Sequence, residues 1–565
     1  MSAPRFLPIL LAFCMFSTGA SGLVNEYVLA TITTYILGNS IENFSMVIAC
    51  MMLMMGVSGF VQNKMSDKNL LQKFIAVEVL MAILGGFAPL AIYAAFGYLE
   101  HNFQLVHYFF VLSIGFLIGF EIPLVMRIIE QHKIKLKTNL TIVYAMDYVG
   151  AFIGAVIWVK FLLKNFPLTE ISFIVAGFNF TVATLTIIYF LRRRIIDKPL
   201  LHLVVLAITA GLLIFGFMQN RDISNLLEQR FYDDPIVYKE TTRYQHIVIT
   251  HNKALNDTRL YINGNAQFSS VDEKRYHDLL VHPLMAASPN VEHVLILGGG
   301  DGLALREVNK YPHIKSVTLV DLDPEMIKLA STHETLVKLN SDAFRHANVV
   351  TEQLNINDQS QKKGVYLSEP YTGDKEESQW VAAVNVYNID ADQFLRQANQ
   401  SQFTNKQSNK QWDAVFIDLP DPSSIELSKL YSKQFYLTLR KHLTPDAFVA
   451  IQSTSPYHAK PAFLAIGTTL EAAGYSVLPY RQNIPSFGDW GFYLAWTHQE
   501  SPEQLQQRLK NLEQFNVATD FITPELLSAS FAFGKGELSV ETPCINTLMQ
   551  PCLLHHYIEK SWINE

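Results

Sequence analysis

Seven long apolar runs occupy the first 218 residues, and they limit the fold more than any other feature of the chain. They lie at roughly 6–37, 44–62, 74–99, 104–126, 140–163, 171–191 and 200–218. Each is near or above the ~20 residues that cross a hydrocarbon core as a helix. A backbone in lipid must satisfy its own N–H and C=O groups, so runs of this kind predict helices. The first run could be a cleaved leader. It continues through Asn25 and Glu26, however, and further runs follow, so it reads as a retained helix. Residues 1–218 are expected to form a multi-pass α-helical membrane domain of about seven spans.

The loops between the runs differ in charge. Lys64, Lys68 and Lys73 share one loop, Arg127, Lys133, Lys135 and Lys137 a second, and Arg192, Arg193, Arg194 and Lys198 a third. The alternate loops are nearly free of Lys and Arg. By the positive-inside rule the three basic loops and the N-terminus are cytoplasmic. Glu26, Glu78, Glu121, Asp147 and Lys160 lie within the apolar runs. Charges at such depth usually face a bundle interior. They read either as a path or site for cations or as buried pairs and interface residues. Gly115 with Gly119, and Gly150 with Gly154, have the small-xxx-small spacing of close helix packing.

The whole-chain composition, 49% apolar and 17% charged, averages this region with an ordinary soluble part. A net charge of −7 gives no sign of nucleic-acid binding. Cys14, Cys50, Cys544 and Cys552 suggest neither a zinc site nor a disulfide framework. Residues 219–240 are polar and read as a linker. A small β-rich region is expected at 241–289, an α/β domain at 290–497, and a helical extension at 498–565.

The α/β domain is organised by Val291–Asp323, VEHVLILGGGDGLALREVNKYPHIKSVTLVDLD. Val294–Leu297 is a short strand, and Gly298, Gly299, Gly300 and Gly302 follow at once. Residues without Cβ allow a sharp turn and close approach of a ligand. Leu303–Lys310 suits a helix, and Ser316–Val320 a second strand ending in Asp321. An acid about twenty residues after a Gly-rich turn is placed to accept from ribose hydroxyls. Asp301, inside the glycines, would repel a pyrophosphate and suit a cationic ligand. This favours an adenosyl sulfonium compound over a dinucleotide.

Further on, Trp412–Ile417 is a buried strand ending in Asp418, with Asp421 and Pro422 three and four residues later. In open α/β sheets ligands sit beyond the carboxyl ends of strands. An amine nucleophile is inert while protonated, its pKa being near ~10 by analogy with lysine. A carboxylate there can hold the ammonium and take its proton.

GGGDG followed by LREV resembles the spermidine synthases, the polyamine aminopropyltransferases, and in particular their membrane-fused branch. The resemblance runs from about Tyr244 to Phe492. It extends to Tyr244–Gln245, to the Asn263–Gln267 turn, to Asp272–His277 and to the Asp418–Asp421–Pro422 motif. It implies a methyltransferase-like doubly wound sheet preceded by a small β region. It implies aminopropyl transfer from decarboxylated S-adenosylmethionine, a co-substrate rather than a resident cofactor, to putrescine or a related amine. No metal is implied.

By resemblance, Asp418 is the catalytic base. Gln245, Gly298, Gly300, Asp301, Gly302, Asp321, Asp390 and Ala391 hold the donor, with Asp390 accepting from the adenine amino group. Tyr276, His277 and Asp421 hold the amine. Ala391 stands where the family has Gly, and Phe487 stands where a Tyr helps hold the amine in soluble members. The polar stretches 355–380 and 397–411 read as an insertion and an exposed loop.

A cell (inner) membrane location is expected, with the catalytic domain cytoplasmic because such donors are made there; the count of spans argues for the other side. A binding-only polyamine sensor or transporter and a true methyltransferase are the alternatives. Self-assembly is left open.

Overall fold

The computed structural model describes residues 7–37, 41–99, 102–131, 136–192, 199–288, 290–345, 347–350, 365–366, 382–398, 411–539 and 544–560. Most of 355–380 and most of 397–411 lie outside these residues. The chain divides into two units, Met1–Pro235 and Ile236–Glu565.

In the first unit, seven helices among the described residues are long and apolar enough to cross a membrane. They are α1 Leu7–Leu37, α2 Ile41–Asn63, α3 Leu70–Leu99, α4 Phe103–Gln131, α5 Leu136–Ile157, α6 Leu168–Arg192 and α7 Pro199–Glu228. A π-helical turn, Trp158–Leu162, continues α5. The small-xxx-small pairs sit where helices nearly touch. A Cβ on Gly115 would lie 2.8 Å from Met51 Cα, and one on Gly119 2.4 Å from Met55 Cα. Gly150 and Gly154 face the backbone of α1 in the same way, 2.0 Å from Phe16 O and 2.7 Å from Ala20 O. Such approach is how helices associate where lipid removes the hydrophobic drive between them.

The expected linker, 219–240, holds the boundary between the two units but is largely regular structure. α7 runs on to Glu228, a 3₁₀ turn covers Gln229–Phe231, and the first strand begins at Ile236. Between Gly216 and Pro235 no Gly or Pro interrupts the chain. The polar residues there include good helix formers, and Leu227 is buried, so the helix continues past the apolar run.

The second unit opens with a four-stranded antiparallel sheet in the order β1-β2-β3-β4. Its strands are β1 Ile236–Thr241, β2 His246–Asn252, β3 Asp257–Ile262 and β4 Asn265–Ser269. Asn263 and Gly264 join β3 to β4 at φ 50° and 82°. Left-handed backbone at both positions is what a two-residue hairpin requires. Helix α8, Glu273–Ala287, follows.

The main sheet holds β5 His293–Gly298, β6 Ser316–Asp321, β7 Asn348–Val350, β8 Val365–Tyr366, β9 Ala383–Asn388, β10 Trp412–Asp418, β11 Leu443–Gln452, β12 Ser476–Ile484 and β13 Gly488–Trp496. Their order is β12-β13-β11-β10-β5-β6-β9-β7-β8. β11, β10, β5, β6, β9 and β7 are parallel to their neighbours in that run, and β13 and β12 are antiparallel at one edge. The sheet is therefore mixed. Val294 and Ile296 enter one core and Leu295 and Leu297 the other, which explains the uninterrupted apolar run of β5. From β5 the chain winds outward to β6 and later returns to β10 on the other side. The crevice beyond the carboxyl ends of β5 and β10 is thus the switch point where ligands bind in open sheets.

The C-terminal extension is fastened to the sheet domain. Asp278 accepts from the backbone N–H groups of Asp520, Phe521 and Ile522 at 2.6–3.1 Å. Contrary to the sequence expectation, Cys544 and Cys552 form a disulfide, with Cα atoms 6.4 Å apart. Two cysteines eight residues apart form no recognisable framework. Their pairing depends on how the tail folds back.

Candidate active site

The Gly-rich turn is shaped by what it touches. Gly298 and Gly299 have φ of 86° and 65°. A Cβ on Gly298 would stand 2.0 Å from Asp418 O, and one on Gly300 2.6 Å from Asp321 Oδ2. The turn therefore runs directly between the ends of β10 and β6, and only glycine allows this. Gly300 N–H donates to Asp321 Oδ2 at 3.1 Å. Gly302, at φ 81°, starts helix α9, Leu303–Val308, and a Cβ there would meet Phe344 at 2.6 Å.

Asp321 ends β6 and also accepts from Asp323 N–H at 2.9 Å. Burial pushes its carboxyl up to about 6, and Asp323 and Asp301 add to the shift. Asp323 caps helix α10, Pro324–Thr332, by accepting from Glu325 N–H at 3.1 Å, and it also accepts from Thr242 Oγ1 at 2.7 Å. Gln245, in the β1–β2 turn, hydrogen-bonds to Asp323 as well. The small β-sheet thus reaches the expected ribose end of the crevice. Asp390 and Ala391 lie one strand further out, at the start of helix α11, Ala391–Ala398. Asp390 accepts from Gln393 N–H at 3.0 Å and pairs with Lys429 at 3.0 Å.

At the other end, Asp418 meets the start of α8. Tyr276 donates to Asp418 Oδ1 at 2.6 Å. His277 is buried, with Nδ1 against Glu273 Oε2 at 3.0 Å. Burial alone would lower the imidazole pKa, but the Glu273 carboxylate, with Asp301 and Asp418, raises it to about 9. Glu273 is itself held below the usual carboxylate range: burial opposes this, but His277 and Arg306 outweigh it. Burial lifts Asp301 to about 6, helped by Asp418 and opposed by His277. Asp418 is also raised, chiefly by burial. His277 as an imidazolium thus interacts with two carboxylates that would otherwise repel each other.

Asp421 sits on the β10–β11 side. It accepts from Thr454 Oγ1 at 3.1 Å, Gln452 Nε2 at 3.3 Å and Tyr557 Oη at 3.0 Å. Burial lifts it to about 6 against those three donors. Tyr431 braces the loop between the two acids, donating to Leu419 O and Pro420 O at 3.1 Å each. Phe487 packs edge-on to Tyr276, ring centres 6.2 Å apart.

The structure therefore gathers Tyr276, His277, Asp301, Asp418 and Asp421 at the carboxyl ends of β5 and β10. Asp321, Gly300 and Gln245 group beside β6, and Asp390 with Ala391 beyond them. Gln452, Thr454, Glu273 and Tyr557 were not singled out from sequence. Gln452 could have been, since it ends the strand next to β10. Tyr557 had no local signal. One buried cluster elsewhere, Asp278, His282 and Glu307, has metal-like spacing within 4.8 Å. Its charges are already matched: Glu307 pairs with His282, Arg306 and Lys310 at 3.0, 2.7 and 2.6 Å. It is an ion-pair knot.

The arrangement can hold a cationic sulfonium and a cationic amine together, with an acid near the attacking nitrogen. The chain is similar to several known proteins. The spermine/spermidine synthase domain matches residues 273–358 and 380–508. A polyamine aminopropyltransferase of Oceanobacillus iheyensis is 33% identical over 548 residues, covering 96% of this chain and 95% of that protein. Polyamine aminopropyltransferase 1 of Streptomyces coelicolor is 35% identical, covering 98% and 94%. The polyamine aminopropyltransferase of Leptospira interrogans is 35% identical, covering 96% of each. A crystal structure of spermidine synthase from Thermotoga maritima, 21% identical, covers 54% of this chain and 87% of that chain with a TM-score of 0.40. The likeness to the three curated relatives takes in the apolar N-terminal region as well as the sheet domain, and on it this chain belongs to the polyamine aminopropyltransferase family.

Proposed function

We propose that the chain transfers the aminopropyl group of decarboxylated S-adenosylmethionine to putrescine or a related linear amine, giving a longer polyamine and methylthioadenosine. The observation that carries this reading is the set Asp301, Asp418 and Asp421 around one crevice, with a Gly-rich turn between them. Asp321 and Asp390 take the ribose and adenine, and Asp301 takes the donor ammonium. Asp421 and Tyr276 hold the acceptor. Asp418 accepts the proton of the attacking nitrogen. The nitrogen lone pair then forms the new C–N bond at the propyl carbon next to sulfur. The C–S bond breaks, and its electron pair returns to sulfur to give a neutral thioether. Holding both reactants in line supplies much of the acceleration.

The donor-binding and reacting groups fall within 241–497, and the 498–565 extension adds Tyr557. The seven apolar helices are read as spans of the cell membrane. On the side of that membrane, the disulfide joins the span count against a cytoplasmic catalytic unit, because disulfides persist in oxidising compartments.

The test offers purified protein putrescine, spermidine or cadaverine with either S-adenosylmethionine or its decarboxylated form, and identifies products by mass. Aminopropyl products from the decarboxylated donor alone are expected, with Asp301→Asn weakening the donor preference. Methylated products, or binding without any product, would overturn the reading.

A further inference from the structure

The membrane unit contains a polar seam that the transfer reaction does not use. Cys14, Thr18, Ser21 and Asn25 are spaced four, three and four residues apart, so they share one face of α1. Thr33 lies about two turns further along α1. All five are buried. From Cys14 to Thr33 the helix rises about 28 Å, close to the ~30 Å of a bilayer core. Each group meets a polar partner or a small residue on another helix. Cys14 Sγ is 3.8 Å from Thr186 Oγ1 of α6. Thr18 hydrogen-bonds to Glu121 of α4. Ser21 donates to Asn179 Oδ1 of α6. The Asn25 amide lies against Gly85 of α3, and Thr33 Oγ1 is 2.6 Å from His107 Nε2 of α4.

Near the Thr18 level three acids from α3, α4 and α5 come together. Glu78 of α3 and Glu121 interact electrostatically, as do Glu121 and Asp147 of α5. Glu78 is 0% exposed, and neither of its carboxylate oxygens has a hydrogen-bond partner among the described residues. Glu121 Oε1, Asn25 Nδ2 and Asn179 Nδ2 are likewise buried and unpartnered. No Lys, Arg or His pairs with Glu78, Glu121 or Asp147 among the described residues. Lys160 is exposed on the bundle surface. A buried carboxylate without a partner is costly, so these acids either hold a proton or are matched by a cation that enters the seam.

We propose that Glu78 and Glu121 form an intramembrane binding site for a linear polyamine cation lying along α1. An ammonium is a donor-only group and suits carboxylate, hydroxyl and amide oxygens. Its methylene spacers suit the apolar turns between Thr18, Ser21 and Asn25. A compact metal ion would use only the carboxylate level and reach none of the hydroxyl and amide oxygens further along α1. The choice of polyamine as the probe rests on the aminopropyltransferase reading; the site itself does not.

The test is equilibrium binding of labelled spermidine to the full-length protein in detergent micelles, with aminopropyl transfer measured on the same samples. Unmodified protein should show two classes of site. Asp421→Asn should weaken one class. Glu78→Gln should weaken the other at least tenfold while transfer is unchanged, and Glu78→Asp should recover part of the loss. Should Glu78→Gln fail to fold, Glu121→Gln is read in its place. A single class in unmodified protein, or both classes intact in Glu78→Gln and Glu121→Gln, overturns the site. Proton uptake that depends on Glu78 while spermidine binding does not also overturns it. Loss of transfer with the second class retained would count against the transferase reading instead.

Discussion

The Tyr557 hydroxyl donates to Asp421 Oδ2 at 3.0 Å, although 136 residues separate the two. The contact is held by a fastened tail. Asn546 is fully buried and bonds to Ser428 O at 2.8 Å, Tyr431 O at 3.2 Å and Thr469 Oγ1 at 2.9 Å. Leu553 fills the core, and Cys544–Cys552 closes the segment that carries helix α12, Cys552–Lys560. A hydrogen bond to a charged group contributes ~1.5–3 kcal/mol. Tyr557→Phe should therefore raise KM for the amine about tenfold or more and leave donor binding unchanged. Steady-state kinetics against each substrate separates the two. Reducing the disulfide should shift KM in the same direction by less. An unchanged KM in Tyr557→Phe would make the contact incidental.

Asp418→Asn should lower kcat by 10²–10⁴-fold, the usual contribution of a general base, while donor affinity survives. Tyr276→Phe, which removes the hydrogen bond to Asp418, should lower activity by a smaller factor. Single-turnover rates with pre-bound donor would measure both. Near-normal turnover in Asp418→Asn would reduce Asp418 to a loop acid.

Acid should hurt activity and help the fold. Asp301, Asp321 and Asp421 are lifted to about 6, so they protonate as the pH falls through that value; Asp301 and Asp421 then lose their hold on cations, and Asp321 accepts less well from the ribose. kcat/KM should therefore rise through about pH 6. Stability goes the other way. Carboxyls whose folded values lie above their unfolded ones bind protons better when folded, so the ligand-free unit should weaken as pH rises from about 4 to above 6. His277, raised to about 9, adds stability that is complete below about 6.5 and is lost as pH rises through 9. Thermal unfolding across pH should show this decline, and bound substrates should flatten its acidic part. A Tm that climbs from pH 5 to pH 8 without substrate would contradict it.

The span count and the disulfide together predict opposite labelling of two exposed sites. In intact cells, Lys68→Cys should resist a membrane-impermeant maleimide and Glu513→Cys should react. Protection of both would return the catalytic unit to the cytoplasm and require an even number of crossings.

What the sequence determined alone are the features that repeat over a few residues. Apolar length dictates the seven long helices of the first unit, because such runs leave the backbone to satisfy itself. Val294–Leu297 reads as a strand buried on both faces, and Asn263–Gly264 as a hairpin turn, because both depend on adjacent residues. The glycines and the strand-ending acids Asp321 and Asp418 are legible because a turn and a strand end are local events. The tertiary structure decided what depends on distant partners. It charges His277 through Glu273, gives Asp421 its donors Thr454 and Tyr557, and joins Cys544 to Cys552. It also carries α7 past its apolar run to Glu228, where packing of Leu227 overrides the polarity of the sequence. These relations arise from close approach in space, and no spacing along the chain encodes them.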